Sequence, residues 1–424
     1  MKRLVTAIAL GALALVALVW MLNLRGEDGL RDGPEAAAPT VEQVARGAYL
    51  ARVGNCMTCH TDRGGAAYAG GRAIETPFGA VYSSNLTPDA QTGLGSWSSG
   101  HFWRALHNGR SRDGRLLSPA FPYPNYTMVT RDDSDAIFAF LRSQTAVRQP
   151  NKLHGLRWPF DTQAALAVWR ALYFRPGPYA PDPVRSAQWN RGAYLVDGLG
   201  HCSACHTQRN ALGASADMLD LSGGLIPMQN WYAPALTSSA EAGVADWPVE
   251  QVVQLLQTGI APRGSVLGPM AQVVLSSTQY WSEPDLRAMA VFLKALPQSA
   301  RPALKKAGAA LPSVAERGAR IYEHQCAQCH GDQGQGVPGA YPALAGNRAV
   351  LMHETANLVQ IVLNGGFAPA TAGNPRPFGM PPYVLLLSDA DVAAVLTHLR
   401  TSWGNRAPLV SELDVSRQRA GGFQ

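Results

Sequence analysis

RVGNCMTCHTD (residues 52–62) decides how this chain is read, because it sets Cys56 and Cys59 three positions apart and follows them at once with His60. The same arrangement returns as GHCSACHT (200–207), with Cys202, Cys205 and His206, and as HQCAQCHG (324–331), with Cys326, Cys329 and His330. These account for all 6 cysteines among 424 residues. Positions i and i+3 lie on one side of a helical turn, so each pair presents two sulfurs together with an imidazole beside them.

Working outward, the repeat is longer than the motif. RGAYLARVGNCMTCH from Arg46, RGAYLVDGLGHCSACH from Arg191 and RGARIYEHQCAQCH from Arg317 each set Arg-Gly and an apolar helical patch ahead of the first cysteine. Each motif therefore follows a short helix that delivers it. Downstream, Thr130, Ser282 and Ser388 each precede an acid by three residues (Asp133, Asp285, Asp391) and then an apolar stretch at helical spacing. That is the signature of a capped helix, so each unit closes with one. Between the first two units, LRWPFDTQAALAVWRALYFRPGPYAPDP (156–183) reads as one amphipathic helix and an extended Pro-rich crossing, with Trp158, Trp169 and Phe174 as packing anchors.

Three chemistries use Cys-x-x-Cys. A structural zinc site draws four ligands from pairs about 15 to 20 residues apart, and here the pairs are much farther apart. A thioredoxin-type dithiol needs a strand-turn-helix context and leaves the following histidine without a role, whereas these flanks are Gly-rich and helical. The remaining chemistry is covalent haem c: two thiols on one turn add to the vinyl groups, and the next imidazole ligates the iron. The motifs thus assign Cys56, Cys59, Cys202, Cys205, Cys326 and Cys329 to three covalently bound haems c, with His60, His206 and His330 as axial ligands.

A haem that only moves electrons usually has a sixth ligand, often Met. Met270 in VLGPMAQVV and Met380 in PFGMPPYVLLL lie in Pro/Gly loops before the closing helices, and are expected as distal ligands of the second and third haems. Met1 and Met21 belong to the N-terminal apolar stretch, Met57 lies inside a motif, and Met218, Met228, Met289 and Met352 read as packing residues. The first unit departs from the pattern. Its loop is SPAFPYPNYTMVT, with Phe121 where the third unit has Met380. Met128 serves there only after a shift of the loop and is otherwise a packing residue; His101 and His107 are the other candidates. The first haem is expected to have weak, absent or non-Met sixth ligation and the lowest potential. A proximal histidine normally gives its second ring N–H to a carbonyl. The loops at Pro77, Pro234 and Pro342 are expected to supply it. GQGVPG (334–339) fits a dinucleotide fingerprint by letter but follows no strand, and reads as a haem-side loop.

Composition bounds the rest. The chain is 46% apolar and 16% charged, as suits folded domains with long neutral loops. The net charge of +6 is scattered singly, without a phosphate-binding stripe, which excludes nucleic acid as a partner. After Lys2 and Arg3, residues 4–24 carry no charge and span roughly 31 Å as a helix, the thickness of a bilayer core. A cleavable signal ends its shorter apolar region in small residues, whereas this one ends in Trp20, Met21 and Leu22. An uncleaved anchor in the bacterial inner membrane is favoured over a signal peptide, its N-terminus cytoplasmic and the haem domains periplasmic. The segment RGEDGLRDGPEAAAPT (25–40) reads as a tether.

From about Val41 to Asn405 the chain resembles the three-haem cytochrome c subunits of bacterial membrane-bound dehydrogenases of the alcohol, gluconate and fructose type. The resemblance is carried by AGGRAIETPFGAVYSSNLTPD, WNRGAYLVDGLGHCSACHTQRNALGA, GPMAQVV, STQYWSEPDLRAMAVFL, YPALAGN and LRTSWGN. SPAFPYPNYT departs from the SPAMPY-like loop of the alcohol dehydrogenase members and is more similar to cytochromes accompanying molybdenum-hydroxylase-type aldehyde or N-heterocycle dehydrogenases. The resemblance implies an electron conduit from a catalytic subunit of quinoprotein, flavoprotein or molybdenum type to ubiquinone or a terminal oxidase. A free-standing multihaem carrier, or a haem enzyme using an open first haem, is the alternative.

The expected fold is mainly α, with three tandem class I-like cytochrome c domains behind an N-terminal transmembrane anchor. The boundaries are 1–28 for the anchor (or signal peptide), 29–40 for the tether, 41–148 for the first domain and 149–184 for the linker. The second domain follows at 185–300, the third at 313–405 and a C-terminal tail at 406–424.

Overall fold

The computed structural model describes residues 1–27, 38–215, 220–299, 308 and 310–421. Most of the expected tether, and Met218, lie outside them. The chain divides into two compact units: Met1–Pro183 with Tyr194–Ala204 and Arg209–Met218, and Val184–Ala193 with Cys205–Gln208 and Leu219–Gln424.

Each unit is organised by antiparallel-paired hairpins and by helices that cross. In the first, the leading helix Val41–Val53 crosses the closing helix Arg131–Arg142. In the second, Ala187–Ala193 crosses Glu283–Lys294, and Pro312–Gln325 crosses Asp389–Thr401. The closing helices begin where the sequence places them. The hydroxyls of Thr130, Ser282 and Ser388 accept the backbone N–H of Asp133, Asp285 and Asp391, satisfying donors a helix start leaves free.

Those same aspartates do a second task. Arg46 donates to Asp133 (Nε, 3.0 Å), Arg191 to Asp285 (2.8 Å) and Arg317 to Asp391 (3.0 Å), so the arginine of every Arg-Gly pair ties its leading helix to the start of the closing helix. The adjoining glycines explain the rest of the repeat. A Cβ on Gly47, Gly192 or Gly318 would stand 1.8, 2.1 or 2.2 Å from the carbonyl oxygen of Ala136, Ala288 or Ala394. Only a residue without a side chain lets the two backbones approach so closely.

Strands are few. Ala73–Thr76 pairs with Gly79–Tyr82, which also takes Gly155–Leu156; Gly224–Ile226 pairs with Trp231–Ala233; and Gly366–Phe367 pairs with Gly379–Met380. Behind the third motif, Tyr322, Val359, Leu363, Val392 and Leu396 form a continuous apolar cluster. The C-terminal tail contributes the helix Glu412–Gly421, whose Val415 is buried in that cluster and whose Arg419 pairs with Asp389 at 2.6 Å.

The N-terminal apolar stretch is a helix, Lys2–Asn23, exposed along nearly all its length and covered only at its last turn. It is long and apolar enough to cross a membrane. The linker helix is Gln163–Tyr173. Trp169 and Phe174 pack as expected, but Trp158 does not: it is 81% exposed.

Candidate haem-binding sites

Each motif folds into a single turn. Cys56–Cys59 follows Asn55, which takes a left-handed conformation at φ 52°; Ser203–His206 follows His201 at φ 41°; and Ala327–His330 starts directly on Cys326 at the end of its leading helix. In the first and third motifs the turn is closed by the histidine's backbone N–H, which donates to the first cysteine's carbonyl at 3.0 Å. The cysteines of each pair form no disulfide. Burial pushes the Cys56 thiol up to about 12 and that of Cys326 to about 11. A redox dithiol needs the opposite, a thiol pKa lowered toward neutrality, and neither Cys56 nor Cys326 is lowered.

The three histidines are held alike. His60 Nδ1 lies 2.7 Å from the carbonyl of Ser84, His206 Nδ1 2.7 Å from that of Pro234, and His330 Nδ1 2.9 Å from that of Pro342. A carbonyl only accepts, so Nδ1 carries the proton and Nε2 keeps its lone pair for a metal. Burial holds each imidazole below its ordinary pKa, against the opposing effect of that hydrogen bond. A neutral ring is the form that ligates.

Two of these carbonyls are the expected ones and one is not. In the first motif Pro77 lies in the hairpin turn, where Arg157 donates to its carbonyl, and the next stretch supplies Ser84 instead. VYSSNLT (81–87) matches WYAPALT (231–237) in register, with a serine where the second motif has proline. The strands Gly79–Tyr82 and Trp231–Ala233 run straight into these residues and so aim the carbonyl.

A second clamp was invisible in the sequence. The carbonyl of each histidine accepts from a glycine N–H at 2.8 Å: Gly70 for His60, Gly223 for His206 and Gly336 for His330. All three glycines have positive φ (75°, 80° and 66°). A Cβ on Gly70 would lie 2.5 Å from the Ser84 carbonyl, and one on Gly336 2.5 Å from that of Tyr341. Ring and main chain of the histidine are thus fixed by two neighbouring strands of backbone. GQGVPG is therefore the loop that supplies Gly336.

The methionines take different settings. Met380 lies in the strand Gly379–Met380 rather than in a free loop; it packs on the same apolar cluster as Cys326, Ala327 and Leu344. Met270 sits in the first turn of the helix Gly268–Ser276, again not in a loop. Gly268, at φ 56°, turns the chain against the Trp231 indole, a Cβ there falling 2.8 Å from the ring. Trp231 is three residues before Pro234, so Met270 is tied to the strand that orients His206. Met128 has its main chain bound by Tyr179 N–H, and its Cβ stands against Gly198. Met289 and Met352 are buried, whereas Met228 is exposed.

The first-unit histidines are engaged elsewhere. His101 Nδ1 accepts from Ser98 N–H in a capping box, and His107 is buried and stacked on Trp103, its ring centroid 4.5 Å away. Phe121 packs on Tyr126 at 5.3 Å, and Tyr126 Oη donates to Gly54 O beside Cys56 at 3.0 Å.

These donor sets fit haem c. Each motif offers two thiols on one turn and an imidazole whose Nε2 is its unengaged nitrogen. In the third, a thioether sits on the apolar cluster that also holds Cys326.

Residues 315–403 match the cytochrome c family. The cytochrome c subunit of the quinone alcohol dehydrogenase of Gluconacetobacter polyoxogenes is 37% identical over 418 residues, spanning 94% of this chain and 88% of that one. The gluconate 2-dehydrogenase cytochrome c subunit of Pantoea cypripedii is 36% identical over 400 residues, 89% of each. A nicotinate dehydrogenase subunit of Pseudomonas putida is 41% identical over 401 residues, 92% of this chain but 32% of that protein.

Proposed function

The chain belongs to the family of cytochrome c subunits of dehydrogenase complexes, a premise that makes it an electron-transfer subunit, and from it we propose a membrane-anchored cytochrome with three haems. It receives electrons from a dehydrogenase catalytic subunit and delivers them to ubiquinone or a terminal oxidase outside the cytoplasm. The observation that carries the reading is the threefold clamp, in which the same pair of backbone contacts holds His60, His206 and His330.

Haem c, once attached, supplies reversible one-electron exchange at iron. The chain's own residues supply position and environment. Cys56, Cys59, Cys202, Cys205, Cys326 and Cys329 hold the macrocycles, and Ser84, Pro234 and Pro342 keep each imidazole in one tautomer. Met270 and Met380 would serve as further iron ligands at the second and third sites, where a thioether would raise the potential. The first site lacks a methionine at Phe121, and its two nearby histidines are committed to other partners, which supports the lowest potential for that site.

The 41% identity to the nicotinate dehydrogenase subunit, together with the SPAFPYPNYT loop, sets an N-heterocycle dehydrogenase beside the alcohol, gluconate and fructose dehydrogenases as the kind of catalytic subunit served. Affinity purification of the tagged chain from solubilised membranes tests the assignment. A stoichiometric catalytic subunit, and reoxidation of the reduced cytochrome by a ubiquinone analogue, are expected. A lone cytochrome inert to the quinone would overturn it.

A further inference from the structure

The linker helix Gln163–Tyr173 is built inside out. Beyond Gln163 in its first turn, whose amide bonds the Leu116 backbone, its outward positions are Ala164, Val168 and Leu172, spaced four apart, and the latter two are 48% and 56% exposed. Its single charge, Arg170, points inward and is 3% exposed. A helix apolar on its outer face and charged on its inner one does not belong in water; such helices are covered by protein or by lipid.

The interior side of this helix shows what adjoins it. Arg170 Nε donates to Asn23 Oδ1 at 3.0 Å, and Asn23 Nδ2 donates to Ala167 O at 2.9 Å. Arg170 also donates to Asn108 O, Arg110 donates to Asn23 O at 3.1 Å, and Asn108 Nδ2 donates to Gly26 O at 3.0 Å. Glu27 pairs with Arg110. Asn23 is the last residue of the apolar N-terminal helix, and it is buried in this network. The point where that helix leaves its apolar course is therefore bolted to the linker helix.

We propose that Gln163–Tyr173 lies in the headgroup region of the bilayer, with Val168 and Leu172 immersed among the lipid chains and the neighbouring Arg157 and Arg175 toward anionic headgroups. The inference rests on reading Lys2–Asn23 as a membrane helix. Continuity argues for lipid rather than protein: the apolar face belongs to a helix hydrogen-bonded to the anchor's own end. Arg157 and Arg175 are both exposed, the first donating to Pro77 O and the second to Ala171 O and Phe174 O, with the exposed Asp161 between Arg157 and the helix; cationic flanks beside an apolar helix face are the pattern of interfacial helices. The buried Asn23 network would then fix the first unit at a set height on the membrane.

The test uses the full haem-loaded chain in lipid nanodiscs. Its native cysteines are consumed by haem attachment, so a single added thiol is the one that reacts with an aqueous maleimide. Leu13→Cys, Val168→Cys, Leu172→Cys and Thr145→Cys are compared, each as its rate in the bilayer relative to its rate after unfolding in detergent. Burial among lipid raises a thiol's pKa, and each unit removes about tenfold of the reactive thiolate. Leu13, Val168 and Leu172 should label at least about tenfold more slowly than Thr145, an exposed polar position. Rapid labelling at Val168 and Leu172 with Leu13 protected would overturn this inference alone. Rapid labelling at Leu13 would overturn the anchor reading and this one with it. Protection of Val168 and Leu172 only when a catalytic subunit is bound would give the face to that protein and refute lipid as its occupant.

Discussion

Gly318→Ala probes the contact on which the third helix pair rests. The added methyl would stand 2.2 Å from Ala394 O and 3.0 Å from His398 Cβ. Carbon and carbonyl oxygen settle at about 3.3–3.6 Å, so Pro312–Gln325 and Asp389–Thr401 must part by about 1 Å. Parting them loosens the cluster of Tyr322, Val392 and Leu396, and overpacking of this kind costs about 1–3 kcal/mol, here toward the upper end. Stretching the Arg317–Asp391 pair adds little, because Arg317 is half exposed and such pairs contribute about 0–1 kcal/mol. Alanine returns about 1 kcal/mol through its better helix propensity. The net loss is about 2 kcal/mol, which for a compact unit of this size lowers Tm by roughly 4–8 °C. Soret circular dichroism of the holoprotein on heating measures it. Gly177→Ala, whose methyl meets nothing within 4 Å, serves as the reference. Gly318→Ala melting within about 2 °C of the parent would refute the close-contact argument.

Other perturbations separate the remaining parts of the account. Asp391 is held below the usual carboxylate range by the Ser388 hydroxyl and its backbone N–H, with Arg317 assisting. Because its folded pKa is depressed, its contribution is present above pH ~4 and lost as pH falls through the folded value, so Asp391→Asn should cost about 1 kcal/mol at neutral pH and progressively less as the pH is lowered below ~4. Asp197 is the reverse case: burial raises its carboxyl to about 7, and one of its oxygens has no hydrogen-bond partner. Ionising it costs stability as pH rises from about 4 to 7, so Asp197→Asn should stabilise the protein at pH 8 by up to about 4 kcal/mol and make no difference at pH 3, as read by urea midpoints. Met380→Leu should abolish one Met-to-iron charge-transfer band and lower one of three redox midpoints, and Met270→Leu should do the same to another. Met128→Leu should leave both bands in place; loss of a band on that change would show that the first site uses it.

Much of this was legible because its signals are local. The cysteine pairs, the histidines and the caps at Thr130, Ser282 and Ser388 each declare themselves within a few residues, and the structure places the caps where the sequence did. What was not legible depends on contacts far apart along the chain. The Arg-Gly pairs and the closing-helix acids were each visible, but their pairing as Arg46–Asp133, Arg191–Asp285 and Arg317–Asp391 needs the helices to cross. Gly70, Gly223 and Gly336 follow their histidines at unequal distances, so no periodicity reveals a common task. Pro77 is not the acceptor because any residue has a carbonyl, and the hairpin register selects that of Ser84. The linker helix looked amphipathic, but with its charge at Arg170 the sequence alone does not show which side faces in.

The central claim is covalent attachment at all three motifs, and the intact mass of the purified protein tests it most directly. Expressed in cells that mature c-type cytochromes and denatured before weighing, the chain should exceed its polypeptide mass by three haems, and Cys326→Ala with Cys329→Ala should reduce that to two. A parent chain that carries fewer than three, or that loses its haem on denaturation, would contradict the account.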